Sequence, residues 1–315
     1  MAKETVLVSG GAGFIGSHVV EALLNKGCGV TVLDNFATGS MENLEPVENE
    51  VHVVNGDIRS IPDVKEALAG VSRVVHLAAL PSVPRSIETP LESHANNVDG
   101  TLQLLEAARA AKVKRFVFAG SSAVYGDAKG MPRKEAGDTS PLSPYAVGKL
   151  AGEAYALLYH RKYGLPVVCL RFFNVYGPRQ DPDSPYAPVV PRFLSAVSRM
   201  DPFPIYGDGQ QQRDFTYVGD VVQAVTSSLF KPSAVGNVIN IGGGRPCSVQ
   251  EVARLTAKVS GVKCQIKFLP PRQGDVLKSQ ADLTRARKLL GFAPRVPMEE
   301  GLSRTAQAFK EDRTA

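Results

Sequence analysis

The sequence contains little cysteine and no long stretch of apolar residues. Four cysteines occur in 315 residues (Cys28, Cys169, Cys247 and Cys264), and their wide separation fits neither a disulfide framework nor the paired spacing of a metal site. No run approaches the roughly 20 apolar residues that a membrane span needs, and the N-terminal apolar stretch is too short for a signal peptide. These absences predict a soluble, cytoplasmic protein with no metal site and no membrane partner.

The charge is nearly balanced and is not clustered. Lysine and arginine number 36 against 31 aspartate and glutamate, which gives a formal net charge of +5. No block of like charges occurs, so a nucleic-acid partner is disfavoured and a small anionic ligand fits the mild basicity better. Hydrophobic residues make up 43% of the chain, enough for a large core.

The first half of the chain alternates short β-rich segments with helical patterns. We predict three helices: one that ends near residue 24, one over residues 102–111 and one over residues 143–163. Strands are predicted at residues 5–9, 29–33, 51–55, 73–77, 115–119 and 166–171. Strands that alternate with helices favour a parallel sheet with right-handed crossovers. The fold class predicted is α/β, a Rossmann-type doubly wound parallel sheet with a smaller C-terminal α/β region for substrate.

The pattern changes after Gly177, where proline becomes frequent and the predicted elements become shorter. We therefore divide the chain into a dinucleotide-binding domain, residues 1–174, and a mainly substrate-binding region, residues 175–315. Segments near residues 213–241 are expected to return to the first domain, notably 218–230 and 237–241. No internal repeat or low-complexity tract occurs.

A glycine-rich segment follows the first predicted strand and opens the first predicted helix. Gly11, Gly13 and Gly16 give the pattern G-x-G-x-x-G, and Gly10 gives a looser spacing with the last two. Such glycines allow a tight turn and close approach of the backbone to a pyrophosphate, which the helix N-terminus then binds through free N–H groups. The motif is weak alone, but its position between a strand and a helix predicts a dinucleotide site.

An acidic residue stands where this site needs one. Asp34 ends the second strand, about 20 residues after the glycines, where a carboxylate accepts the ribose hydroxyls and repels a 2′-phosphate. No arginine stands beside it, since Asn35 and a phenylalanine follow, and this favours NAD over NADP. Further cofactor contacts are expected after the third and fourth strands, at Asp57, Ile58, Leu77, Ala78 and Ala79. His18 and His76 are interpreted as structural.

Tyr145 and Lys149 lie four residues apart and so share one face of the predicted helix. A phenol with a pKa near ~10 is a poor base at neutral pH, but a nearby ammonium and a nicotinamide cation favour the phenolate. Ser121 lies upstream, after the fifth strand, where its hydroxyl can hold a reacting oxygen. The three residues predict hydride chemistry on an alcohol or a carbonyl, although a serine-rich turn there can also simply satisfy its own backbone.

These motifs, with the strings at 121–126 and 170–179, resemble the nucleotide-sugar branch of the extended short-chain dehydrogenase/reductase family, and within it the UDP-hexose 4-epimerases. The resemblance covers nearly the whole chain, including Asp208-Gly209, Arg213-Asp214-Phe215 and Arg272-Gln273-Gly274-Asp275. It implies NAD, tightly bound and regenerated each cycle, a UDP-sugar substrate and a homodimer formed through the helices near residues 102–111 and 143–163. It implies catalytic roles for Ser121, Tyr145 and Lys149.

The resemblance also implies binding roles. Cofactor contacts are expected at Gly10, Gly13, Phe14, Ile15, Gly16, Asp34, Asn35, Asp57, Ile58, Leu77, Ala78, Ala79, Asn97, Tyr145, Lys149 and Phe172. Substrate contacts are expected at Ser82, Ser121, Ser122, Tyr145, Asn174, Val189, Tyr206, Arg213, Arg272, Asp275 and Ser279. Of these, Arg213 and Arg272 suit a diphosphate, because a guanidinium fork matches phosphate oxygens.

Two positions bear on the reaction and the sugar. Related dehydratases carry an acidic pair where this chain has Ser122 and Ala123, so elimination is disfavoured. In the family that the chain resembles, the position of Ser279 limits the room for an N-acetyl group. A small residue there implies that UDP-GlcNAc and UDP-GalNAc fit, without excluding UDP-glucose and UDP-galactose. Arg85 gives a reason to consider UDP-glucuronate. The sequence is also compatible with a nucleotide-sugar oxidoreductase that releases NAD(P)H and, more distantly, with a non-catalytic NAD-binding regulatory module.

Overall fold

A computed structural model of the chain describes residues 4–182, 186–271 and 277–311. The strands are β1 (Thr5–Ser9), β2 (Gly29–Asp34), β3 (Val51–Asn55), β4 (Arg73–His76), β5 (Arg115–Ser121), β6 (Val167–Phe172), β7 (Val175–Tyr176), β8 (Phe203–Tyr206), β9 (Gln212–Arg213), β10 (Thr216–Tyr217), β11 (Val238–Ile241), β12 (Cys247–Ser248) and β13 (Ile266–Leu269). The α-helices are α1 (Phe14–Leu24), α2 (Ile61–Ala67), α3 (Val83–Glu88), α4 (Pro90–His94), α5 (Gly100–Ala110), α6 (Pro144–Tyr163), α7 (Val189–Arg199), α8 (Val218–Phe230), α9 (Val249–Ser260), α10 (Thr284–Leu290) and α11 (Met298–Glu311).

A seven-stranded parallel sheet forms the centre of the molecule, in the order β11-β6-β5-β4-β1-β2-β3. The six strands predicted from the sequence are confirmed, with ends shifted by at most two residues. The sheet order runs outward in both directions from neighbours β1 and β4, which makes the fold a Rossmann-type doubly wound α/β structure, as predicted. In such sheets ligands bind in the crevice at the carboxyl ends of the strands, where the order reverses.

The sheet is apolar on both faces because helices cover both. Along β1, Val6 and Val8 pack on one side with residues of α1 and α8, and Leu7 packs on the other with residues of α2 and α5. All three side chains are buried. This is the pattern expected of parallel strands, whose near-continuous apolar runs reflect burial on both faces.

The C-terminal part contributes one strand, β11, and two helices, α8 and α10, to the large sheet and otherwise forms a smaller unit. Strand β11 pairs with β6 at the sheet edge, and α8 packs against α1. The smaller unit has its own core, in which Phe193, Phe203 and Leu302 are buried among residues of α7, α9 and α11. Its strands form short pairs, β7 with β10, β8 with β13 and β9 with β12. No helix in the described ranges is long and apolar enough to cross a membrane.

Candidate active site

The glycine segment forms a tight turn between β1 and α1. Gly10 has a φ of +73°, and a Cβ there would lie 2.7 Å from the backbone nitrogen of Ala78. A Cβ on Gly16 would lie 2.0 Å from the carbonyl oxygen of Gly10. Glycine is therefore required at both positions, since no other residue lets the loop lie this close to its neighbours.

The N-terminus of α1 has unfilled hydrogen-bonding capacity. The residue before the helix, Gly13, has no side chain to cap it, and its own N–H donates to Gly10. Across the described chain, no protein acceptor receives the N–H groups of Phe14, Ile15 and Gly16. Three free N–H groups at the positive end of a helix dipole suit the pyrophosphate of a dinucleotide, so the residues present fit this part of NAD.

Asp34 lies at the carboxyl end of β2 and holds the glycine loop. Its carboxylate accepts hydrogen bonds from the backbone N–H groups of Ala12 and Phe36, both at 2.9 Å. Burial raises the pKa of Asp34, and these two hydrogen bonds oppose the rise. A carboxylate accepts more than two hydrogen bonds, so capacity remains for the hydroxyls of a ribose.

Two further predicted cofactor residues, Asn35 and Asp57, form a hydrogen-bond network with Arg59, which the sequence pattern did not indicate. Arg59 donates to both oxygens of Asp57, at 2.9 and 2.7 Å, and Asn35 donates to the same carboxylate at 2.9 Å. The hydrogen bond from Arg59 lowers the pKa of Asp57 to about 2. Arg59 is thus engaged with Asp57, and the neighbouring Ile58 side chain is buried.

The carboxyl end of β4 lies beside the glycine loop. The N–H groups of Leu77 and Ala78 donate to the carbonyl oxygen of Ser9 at 3.0 and 2.9 Å, and Ala79 follows. His76 bridges the hydroxyls of Ser9 and Thr101 at 2.7 and 2.9 Å. Burial lowers the pKa of His76 to about 3, so the imidazole is neutral, in agreement with a structural role.

Asn97 lies in a π-helical turn, Ala95–Asp99, between α4 and α5. Its side chain accepts from the N–H of Leu80 at 2.8 Å and donates to the carbonyl oxygen of the same residue at 3.2 Å. The amide therefore fixes the chain that follows Leu77, Ala78 and Ala79. Such turns occur often at functional sites.

Helix α6 carries Tyr145 and Lys149 in its first two turns. Its start is fixed twice: Ser143 caps it by accepting from the N–H of Ala146 at 3.2 Å, and Ser86 accepts from the N–H of Tyr145 at 3.1 Å. The Ser86 contact joins α6 to α3, which has Ser82 as its cap.

Lys149 points into the protein and is 5% exposed. Its ammonium donates to the carbonyl oxygen of Ala119 at 3.0 Å and lies 5.4 Å from the ring centre of Phe118, both in β5. Burial lowers the pKa of Lys149 to about 8. Burial likewise raises the pKa of Tyr145, and the nearby Ser121 side chain opposes that rise. Helix α6 and strand β5 therefore bring the three predicted catalytic residues together.

A buried ion pair fixes α6 to the neighbouring strand. Arg171 of β6 donates to both carboxylate oxygens of Glu153, at 2.8 and 2.6 Å, and both side chains are about 5% exposed or less. The guanidinium lies 4.8 Å from the ring centre of Tyr125, whose hydroxyl donates to Asn240 of β11 at 2.7 Å. No sequence pattern indicated this network, which joins residues far apart in the chain.

Four of the predicted substrate residues lie after strands β5 and β6 or in the smaller unit. Ser122 begins a 3₁₀ turn after Ser121, and neither it nor the next residue is acidic. Asn174 is exposed after β6, whose last residue is buried Phe172, and its carbonyl oxygen accepts from Thr216 at 3.1 Å. Val189 begins α7. Tyr206 ends β8, with the guanidinium of Arg192 5.6 Å from its ring centre.

Arg213 and Ser279 lie in adjacent segments. Arg213 is in β9, and the N–H of Ser279 donates to the carbonyl oxygen of the preceding Gln212 at 3.1 Å. Arg272 and Asp275 lie outside the described residues. Arg85 does not offer an unpaired charge, because it donates to Glu92 at 2.6 Å. No cluster of three or more potential metal ligands occurs in the described ranges.

Comparisons with known proteins show the family of the chain. The model of the NAD-dependent epimerase/dehydratase family matches residues 6–242. The UDP-glucose 4-epimerase of Mycolicibacterium smegmatis is 40% identical over 309 residues, which cover 96% of this chain and 98% of that protein.

Two solved structures extend the likeness over the whole chain. A UDP-N-acetylglucosamine 4-epimerase from Methanobrevibacter ruminantium, in complex with UDP-N-acetylmuramic acid, is 39% identical, with a TM-score of 0.94 and coverage of 99% of this chain and 100% of the other. A UDP-glucuronic acid 4-epimerase from Bacillus cereus, in complex with UDP-glucuronic acid and NAD, is 34% identical, with a TM-score of 0.90 and coverage of 98% and 99%. The predicted resemblance is confirmed: the chain belongs to the NAD-dependent epimerase/dehydratase family, is an isomerase of the UDP-sugar 4-epimerase type and uses NAD.

Proposed function

We propose that the protein interconverts UDP-hexoses that differ at carbon 4, namely UDP-GlcNAc with UDP-GalNAc, UDP-Glc with UDP-Gal, or both pairs. The observation that carries this proposal is that Ser121, Tyr145 and Lys149 come together at the carboxyl end of β5, two strands from β1 and its glycine loop. The absence of a carboxylate at Ser122 and Ala123 supports epimerisation over loss of water, since elimination needs an acid and a base beside the keto sugar.

In this proposal, Tyr145 takes the proton of the sugar 4-hydroxyl, and Ser121 holds the same oxygen. The ammonium of Lys149 favours the phenolate form of Tyr145 through its positive charge. When bound, NAD supplies the hydride acceptor and then the hydride donor for carbon 4. Arg213 holds the diphosphate while the 4-keto sugar turns about its bond to UDP, and Tyr145 returns the proton on the other face. Because the hydride returns to the sugar, the reaction would consume no NAD.

The remaining contacts are proposed with the same roles as in the resemblance. Gly10, Gly13, Phe14, Ile15 and Gly16 hold the pyrophosphate. Other cofactor contacts are Asp34, Asn35, Asp57, Ile58, Leu77, Ala78, Ala79, Asn97 and Phe172. Ser82, Ser122, Asn174, Val189, Tyr206, Arg272, Asp275 and Ser279 complete the substrate side. The division into residues 1–174 for NAD and mainly 175–315 for the nucleotide sugar also remains a prediction.

The choice of sugar rests on two side chains in this proposal. The small Ser279 side chain, which is half-buried beside the Arg213 strand, supports acceptance of an N-acetyl group. UDP-glucuronate is the alternative substrate, and the pairing of Arg85 with Glu92 removes one reason to favour it. A nucleotide-sugar oxidoreductase would differ by releasing NADH, and a non-catalytic NAD-binding module would have no need of a buried Lys149.

We also propose a homodimer in the cytoplasm. Helix α6 exposes Val147 and Leu158, 52% and 37% accessible, on its outer face about three helical turns apart. Ile87 and Leu91, on α3 and α4, are exposed as well. A second copy of the chain would cover these apolar side chains. Light scattering on the purified protein measures this directly, since a monomeric mass at micromolar concentration would contradict the proposal.

Proton NMR of the purified protein tests the activity. UDP-GlcNAc and UDP-Glc are supplied in separate samples without added NAD, and the anomeric signal of each 4-epimer is followed. Product in either sample supports epimerisation with retained cofactor, and the two rates rank the sugars. Absence of product in both samples, also after NAD is added, refutes these two substrates and leaves UDP-glucuronate. A steady rise in absorbance at 340 nm would indicate the oxidoreductase instead.

A further inference from the structure

Asp214 is a fully buried carboxylate that accepts hydrogen bonds from three backbone N–H groups. One oxygen accepts from the N–H groups of Gly243 and Gly244 at 2.7 and 3.0 Å, and the other accepts from Ala281 at 2.8 Å and Gly244 at 3.1 Å. Its side chain is 0% exposed. Every hydrogen bond that the structure describes for it comes from backbone, so its charge is balanced by N–H dipoles rather than by a cation.

Three separate parts of the fold meet at this carboxylate. Asp214 directly follows Arg213 of β9 in the smaller unit. Gly243 and Gly244 lie in the loop that leaves β11, the edge strand of the central sheet. Ala281 belongs to the segment that carries Ser279, which pairs with the strand before Asp214. One side chain therefore joins two proposed substrate residues to the large sheet.

The loop after β11, which contains Gly242, Gly243 and Gly244, has room for the Asp214 carboxylate only because these residues lack side chains. A Cβ on Gly242 would lie 2.7 Å from the Cβ of Ala281 and 3.0 Å from a carboxylate oxygen of Asp214. A Cβ on Gly243 would lie 2.5 Å from the carbonyl oxygen of Phe215 and 3.1 Å from the other carboxylate oxygen. Because these two glycines have no Cβ, the backbone of the loop can lie close enough to Asp214 for its N–H groups to donate to the carboxylate.

We propose that Asp214 is a positioning residue for nucleotide-sugar binding, which holds Arg213 and Ser279 in register against the carboxyl end of the central sheet, where the predicted catalytic residues lie. It touches neither substrate nor cofactor in this proposal and acts through those two residues. The inference rests on the proposed function, because Arg213 and Ser279 are substrate residues only if the ligand is a nucleotide sugar.

Asp214→Asn is the informative change because it keeps the size of the side chain. In the wild type both carboxylate oxygens accept hydrogen bonds from backbone N–H groups. In the variant an NH₂ group, which can only donate, replaces one of these oxygens, so at least one buried backbone N–H loses its acceptor. Leaving one such group unsatisfied is enough for a loss of roughly tenfold in binding if the distortion reaches Arg213. The assay is run well above pH 6, because burial raises the pKa of Asp214 to about 6 and the carboxylate is ionised there.

Asp220→Asn is the matched control. Asp220 in α8 is also buried, 3% exposed, and it accepts backbone N–H groups from Arg295 and Val296 at 2.9 and 3.3 Å. It has the same chemistry but holds the segment before α11 instead of Arg213 and Ser279. A general loss of folding stability affects both variants, whereas loss of substrate register affects only Asp214→Asn.

The experiment measures kcat and KM for epimerisation of UDP-GlcNAc and UDP-Glc, the Kd of UDP by calorimetry, the NAD content and the melting temperature. We expect Asp214→Asn to raise KM and the UDP Kd about tenfold, with a smaller change in kcat and unchanged NAD content. Asp220→Asn should keep the UDP Kd within about twofold of the wild type. Wild-type Kd in Asp214→Asn, or an equal loss in both variants, overturns the inference.

Hydrogen exchange on the unchanged protein gives an arm that does not depend on a folded variant. Binding of UDP should slow exchange at Gly243, Gly244 and Ala281, which donate to Asp214, and leave exchange at Arg295 and Val296 unaltered. Equal exchange with and without UDP at the first three overturns the inference. A wild-type protein that neither binds UDP nor epimerises a UDP-sugar overturns the proposed function instead, and the inference with it.

Discussion

Replacing Lys149 by methionine should stabilise the protein while removing its activity. The ammonium is buried, and its partners are the carbonyl oxygen of Ala119 at 3.0 Å and the ring of Phe118. Methionine has similar length and no charge, so it fills the same space. In the proposed function the ammonium serves the chemistry at the expense of folding stability, as occurs at many active sites.

The size of the expected gain in the free energy of unfolding follows from the pKa of Lys149. It falls from 10.5 to about 8 through burial. Because a tenfold change in proton affinity corresponds to about 1.4 kcal/mol, burying the ammonium costs about 3 kcal/mol at neutral pH. The variant also leaves the carbonyl oxygen of Ala119 without this donor, which costs about 1 to 2 kcal/mol. The free energy of unfolding should therefore rise by about 1 to 2 kcal/mol.

The difference in the free energy of unfolding between Lys149→Met and the wild type should become smaller as the pH rises above about 8. Between about pH 8 and pH 10.5 the folded protein has released the proton of Lys149 and the unfolded chain still binds it. Stability of the wild type therefore rises with pH across this window, and the advantage of the variant shrinks. Below about pH 8 both states carry the proton, and the advantage is complete.

Denaturant unfolding at one pH below 8 and at one between 8 and 10.5 measures these free energies, with NAD content matched because bound NAD also stabilises. Turnover of Lys149→Met should fall at least about 100-fold. Lys114→Met is the control: Lys114 is exposed and pairs with Glu4 at 3.2 Å, so stability should change by less than about 1 kcal/mol. A Lys149→Met protein less stable than the wild type at neutral pH would refute the reasoning.

Three further changes test other parts of the site. Tyr145→Phe should lower kcat by about 100-fold to 10,000-fold in the NMR assay and leave the Kd of UDP nearly unchanged, because only the proton-transferring hydroxyl is lost; near-normal turnover would refute its role. Glu153→Gln should lower the free energy of unfolding by about 3 kcal/mol, since it leaves the Arg171 guanidinium buried without its counter-charge, whereas Glu106→Gln, in the exposed pair with Arg109, should lower it by less than about 1 kcal/mol. Ser279→Tyr should lower kcat/KM for UDP-GlcNAc at least tenfold more than for UDP-Glc, and Ser279→Ala should not; equal effects on both sugars would remove Ser279 from the choice of substrate.

The central sheet could be predicted from the sequence because its signals are local. Parallel strands such as β1 and β2 are short, largely apolar runs bounded by polar or turn residues, and the glycines after β1 mark the turn. The smaller unit was harder, since β7, β9, β10 and β12 have two residues each, too few for any periodicity.

The site divides in the same way. Tyr145 and Lys149 are recognisable because they lie four residues apart on one helix, and Ser121 because it ends a strand. The contacts of Asp214 with Ala281 and of Ser86 with Tyr145 join residues 67 and 59 positions apart. No local pattern indicates such pairs. The nearest signal for Asp214 was an acidic residue directly after an arginine assigned to the substrate.

The contact of Ser86 with Tyr145 restricts how the enzyme can change its sugar preference. Ser86 lies on α3, the helix capped by the proposed substrate residue Ser82, yet its hydroxyl also supports the first turn of α6, which carries Tyr145. Mutations that reshape the start of α3 for another sugar thus also act on the backbone of Tyr145. Divergence of specificity, in nature or by loop grafting, should proceed through changes that keep Ser86 in place, or through substitutions of Ser279.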